Sequence, residues 1–186
     1  MKKLILLPIL LLQLSAIAQD LRIVKILDED RLLSKSCNTC QSNTILSVNI
    51  PINTVFIYLV ISTNHSGHFK NINLLAQVKD LTATHRVVIL GDMKPLIPLI
   101  TGYESGGKVN FHVETNGHEK GHNMFEKGPG YACDYSKCSI DFPGGPAGFQ
   151  VIQNKEASIY YFGLENPSDK EDIYFHIEAV AVSRDY

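Results

Sequence analysis

Along most of this chain apolar and polar residues alternate with a period of two, in short runs broken by turn-forming residues. "LRIVKIL" (21–27) alternates enough for a strand, although it could instead begin a short helix through "DEDRLLSKS". "TILSVNI" (44–50) predicts a strand stopped at Pro51, with "PINT" as the turn. "VFIYLVI" (55–61) is a continuous apolar run rich in β-branched and aromatic residues, as a strand buried on both faces would be. The period then changes. In "INLLAQVKDL" (72–81), Ile72, Leu75, Val78 and Leu81 recur every three residues, which predicts a short helix with Asn71 placed to cap it.

"HRVVILG" (85–91) returns to strand pattern, and "LIPLIT" (96–101) can be only an edge strand, because Pro98 lacks a ladder donor. "KVNFHVE" (108–114) alternates cleanly, with Val109, Phe111 and Val113 predicted inward and Asn110, His112 and Glu114 outward. "PGG" before Pro146 is a strong breaker. Two final strands follow, "SIYYFGL" (158–164) and "IYFHIEAVAV" (173–182), joined by the turn-rich "ENPSDKED". Many short strands, frequent turns and one short helix predict a mostly β fold: a single-domain antiparallel β-sandwich or jelly roll. "TILSVNIP", "KVNFHVETN" and "ASIYYFGLENP" together resemble the strand order of secreted bacterial pre-peptidase C-terminal-like domains. That resemblance implies a β-sandwich module accompanying exported enzymes, without catalytic activity of its own.

The N-terminus changes the picture by supplying a compartment. Lys2 and Lys3 precede the apolar "LILLPILLLQL", and Ala16 to Ala18 offer small residues for cleavage, the layout of a secretory signal peptide. Residues 1–18 are thus expected to be removed, leaving a domain over 19–186 that is secreted or periplasmic. Gln19 stands where a lipid-anchored protein would carry cysteine, so no membrane anchor is expected. Without Lys2 and Lys3 the acidic residues outnumber the basic ones, which argues against nucleic acid as a partner. A polysaccharide or an extracytoplasmic protein suits the compartment better.

Export also decides how the cysteines are read. Cys37, Cys40, Cys133 and Cys138 form two close pairs, expected as two disulfides, although three connectivities are open. Cys37 and Cys40 also make a C-x-x-C pair, the arrangement of a thiol oxidoreductase. That chemistry needs a helix N-terminus to stabilise the thiolate, and "QSNTILSVNI" follows with turn and strand pattern instead.

The sharpest motif is His118-Glu119-Lys120-Gly121-His122, which fits H-E-x-x-H. In zinc hydrolases a helix aims both histidines at one metal while the glutamate acts on its bound water. Gly117 and Gly121 oppose a helix by about 1 kcal/mol each, and no downstream helix offers a third ligand. His118 and His122 therefore remain metal candidates in what is expected to be a solvated loop. His65 and His68, with His112 and His122, could meet only across loops. Glu165, Asp169, Glu171 and Asp172 are acidic enough for calcium, but Lys170 interrupts them and the D-x-D-x-D-G spacing is missing. No cofactor is expected. Tyr160 and Tyr161 should face opposite ways, as should Tyr174 and Phe175, so that an outward tyrosine could stack on a sugar ring. The expectation is an exported binding or accessory module, with a zinc hydrolase and a thiol oxidoreductase as its rivals.

Overall fold

A computed structural model describes residues 21–36, 41–69, 72–84, 107, 109–115, 147–154 and 157–184. Its elements are β1 (Leu21–Leu33), β2 (Asn43–Asn49), β3 (Thr54–Asn64), α1 (Leu74–Thr84), β4 (Asn110–Thr115), β5 (Ala147–Gln153), β6 (Ile159–Glu165) and β7 (Ile173–Arg184). They form two antiparallel sheets, one in the order β1-β7-β3-β5 and the other β2-β6-β4. The expected mostly β, sandwich-like architecture with one short helix is present.

Alternation decides what lies between the sheets. Ile57, Leu59 and Ile61 of β3 and Phe175, Ile177 and Ala179 of β7 face Leu46 and Val48 of β2, Phe111 and Val113 of β4, and Phe162 and Leu164 of β6. Phe111 and Phe162 stack at 5.9 Å between ring centroids. The opposite side of β3 and β7 is apolar too: Tyr58, Val60, Val180 and Val182 pack against Ile72, Leu74 and Val78. This second cluster is why β3 reads as a continuous apolar run.

β1 departs from one expectation. The strand does not turn into a helix at "DEDRLL" but continues to Leu33, paired residue by residue with β7. A twelve-residue partner strand offers that segment a full ladder of hydrogen bonds, which outweighs its local helix preference. A bulge between Lys25 and Leu27 moves odd-numbered positions from the outer to the inner face. Leu21 and Ile23 therefore join the outer cluster, while Leu27 and Leu33 join the core between the sheets.

Two further differences are local. β5 begins directly after the expected breaker, where no strand was read, because β3 offers it a partner edge from Phe56 to Ser62. The helix cap is Asn73, not Asn71: its Oδ1 accepts the Ala76 N–H at 3.3 Å. The segments 85–91 and 96–101 lie outside the described residues.

Candidate functional site

Two outward faces carry the polar side chains. On the four-stranded sheet, alternation along β7 places Tyr174, His176 and Glu178 outward. Glu178 is buried, yet its carboxylate accepts the Leu74 and Leu75 N–H groups at 3.1 and 3.4 Å and meets the Lys25 ammonium at 3.0 Å. With Asn73 on Ala76, the first three N–H groups of α1 are all bound. Lys25 also donates to Asp28 at 2.7 Å. Asp28 first, and then Glu178, hold its ammonium above the usual lysine range against the pull of burial.

One row further along, His176 Nδ1 lies 2.7 Å from Asp30 Oδ1, and Nε2 lies 4.0 Å from Asp28. Ser62 of β3 stands opposite His176 and Asp30 of β1 on its other side, so three strands carry the residue types of a hydrolytic triad in one row. The geometry denies that chemistry. Ser62 is 1% exposed and its Oγ has no hydrogen-bond partner among the described residues, so the imidazole does not engage it and a substrate cannot reach it. Phe69 lies against His176 at 5.6 Å and Gly67 against the Tyr174 ring, closing this end of the face. Asn64 fixes that loop by accepting the Ser66 and Gly67 N–H groups and donating to the His68 carbonyl. This cluster ties β1, β7, α1 and the loop together.

The outer face of the three-stranded sheet is different. Register sets Asn43, Glu165 and Asn110 in one row, and Ile45, Gly163 and His112 in the next. Ser47, Tyr161 and Glu114 share the row after that. Gly163 leaves the middle of this face without a side chain, flanked along its strand by half-buried Tyr161 and Glu165. Asn110 donates to Glu165 Oε2 at 3.0 Å, which holds that carboxylate in place. Burial pushes the His112 imidazole below the usual histidine range, against the opposing pull of Glu165. The face thus combines an aromatic ring with a fixed amide–carboxylate pair, on either side of the buried Gly163.

The residues expected to carry chemistry are distributed as follows. His118, Glu119, His122 and all four cysteines lie outside the described residues. His65 follows β3, within 3.5 Å of Glu171, whereas His112 belongs to the other sheet. Glu165 is engaged by Asn110, and Asp172 accepts the Lys35 N–H at 2.8 Å, so the acidic segment does not converge. Among the described residues no group of three or more His, Cys, Asp or Glu is placed to hold a metal. Tyr160 points inward, buried and donating to Asn154, and Phe175 is in the core, as alternation requires. The Asp30–His176 and Lys25–Glu178 pairs were not anticipated. Alternation along "IYFHIEAVAV" places their β7 members outward, but their partners depend on the β1 bulge.

No protein-family model matches the chain, and no curated protein matches it.

Proposed function

We propose that this is an exported, non-catalytic binding module, secreted or periplasmic, that takes an uncharged polysaccharide on the outer face of its three-stranded sheet. The observation that carries this reading is the grouping of Tyr161, Asn110 and Glu165 around Gly163. A sugar ring needs an apolar plate for its C–H face and planar amide or carboxylate groups for its hydroxyls. Tyr161 supplies the first, and the Asn110–Glu165 pair the second. The rows of this face hold two acidic positions, Glu165 and Glu114, and no lysine or arginine, so a neutral polymer fits it better than an anionic one. The resemblance to pre-peptidase C-terminal-like modules points to the same accessory role.

Affinity electrophoresis of the mature protein through gels holding different envelope or matrix polysaccharides tests the proposal. At least one neutral polymer should retard the protein, and Tyr161→Ala should weaken that retardation at least about tenfold with the fold retained. Migration unchanged by every neutral polymer would defeat it.

A further inference from the structure

We propose that β2 is a docking edge for a second copy of this chain, the two β2 strands pairing antiparallel to join the three-stranded sheets. The inference is independent of the ligand proposed above.

The backbone of β2 determines which register such a pair can take. Asn166 donates to the Ser42 carbonyl at 2.7 Å and Ile50 donates to the Ser158 carbonyl at 2.8 Å, so the even-numbered residues of β2 exchange hydrogen bonds with β6. By alternation, the N–H and C=O groups of Asn43, Ile45, Ser47 and Asn49 point away from β6. Among the described residues β6 alone pairs with β2.

The strand "NTILSVN" is symmetric about Leu46 at its ends, Asn43 and Asn49, and in side-chain shape at Thr44 and Val48, though not at Ile45 and Ser47. A two-fold axis at Leu46 places Asn43 opposite the second copy's Asn49, and Ile45 opposite its Ser47. Thr44 then meets Val48, a side chain of the same shape. This register joins only odd-numbered residues, the ones whose backbone groups point outward. Its four pairs exchange about eight N–H···O=C bonds. Each side chain stays on its own face, so the buried Leu46 and Val48 are undisturbed. Such self-complementarity is what a two-fold interface requires.

Charge separates the two edges on this side of the molecule. β1 carries Lys25, Asp28, Glu29, Asp30 and Arg31 together with a bulge, devices that keep an edge strand from pairing. β2 has no charged residue and no register shift along its seven residues. Of these two edges, β2 is the one left open to another strand among the described residues.

Sedimentation equilibrium of the mature protein from micromolar to millimolar concentration should show a reversible shift to roughly twice the monomer mass. Proline in place of Ser47 removes an outward N–H while leaving the bonds to β6 intact, so Ser47→Pro should raise the dimer dissociation constant at least about tenfold. A second pair of variants serves even where the proline disturbs folding. Ile45→Lys with Ser47→Lys sets like charges opposite each other, whereas Ile45→Lys with Ser47→Glu sets opposite ones. The Lys/Glu protein should associate about tenfold or more tightly than the Lys/Lys protein. A mass that stays monomeric throughout, or equal association by the two double variants, would overturn the proposal.

Discussion

Glu178 shows at the residue scale how a buried charge is held in this fold. Its carboxylate accepts two helix N–H groups and faces Lys25, so removing the charge leaves the lysine and the helix terminus under-satisfied. Glu178→Gln should lower unfolding free energy by about 1–3 kcal/mol in urea titrations; a change below about 0.5 kcal/mol would mean that solvent replaces those bonds. His112 gives a pH dependence of definite sign. Its pKa is lowered in the folded state, so it contributes stability above the unfolded value of 6.5 that is lost as pH falls through the folded value. Thermal midpoints should therefore drop on acidification below that value, and His112→Asn should reduce the drop. Lys25 has the opposite sense: its raised pKa contributes stability below 10.5 that is lost as pH rises through the folded value. Alternation was enough to read His112 as outward. The partners of Glu178 were not legible, because Lys25 reaches it only through the register of β1 on β7, and the bulge that sets that register has no local sequence signal.

At the element scale, α1 rests on the sheet through a cluster separate from the core between the sheets. Leu74 is 1% exposed within that cluster, and Leu74→Ala should cost about 2–5 kcal/mol. Because the cluster is separate, the loss should first appear locally. Hydrogen exchange should quicken across 74–84 at denaturant concentrations where β3 and β7 remain protected; simultaneous loss in all three would show one cooperative unit. The helix was legible because its three-residue spacing stands out against period-two neighbours. Its cap lay two residues further on, at Asn73, whose Oδ1 accepts the Ala76 N–H while Glu178 accepts the two N–H groups before it. β5 was missed for a different reason. "AGFQVIQ" has two β-branched residues and a glycine, so it takes strand form from the edge of β3 more than from its own propensity. The candidate ligand face was half legible: alternation set Tyr160 and Tyr161 on opposite faces, but the row joining Asn110 to Glu165 requires the strand order.

At the scale of the whole molecule, the two proposals combine into a prediction that neither makes alone. Pairing of two β2 strands would run the sheets together as β4-β6-β2-β2-β6-β4, with both Tyr161 faces on the same side. A long polymer could then occupy both faces at once, the second contact forming at a high effective concentration, whereas a short oligosaccharide occupies only one. Wild-type protein should bind the polymer about 10²–10⁴-fold more tightly than the oligosaccharide. The Ile45→Lys, Ser47→Glu variant should keep most of that ratio and the Ile45→Lys, Ser47→Lys variant should lose it. Both positions lie beside Gly163 and Tyr161. A weaker single contact also lowers the ratio, because the polymer makes that contact twice. The comparison therefore divides each ratio by that variant's own oligosaccharide association constant. Calorimetry of each protein with both ligands, at concentrations where the wild type is dimeric, supplies the comparison. A quotient equally large in both variants would mean that the polymer gains its affinity along a single face, and the join at β2 would then have no part in binding.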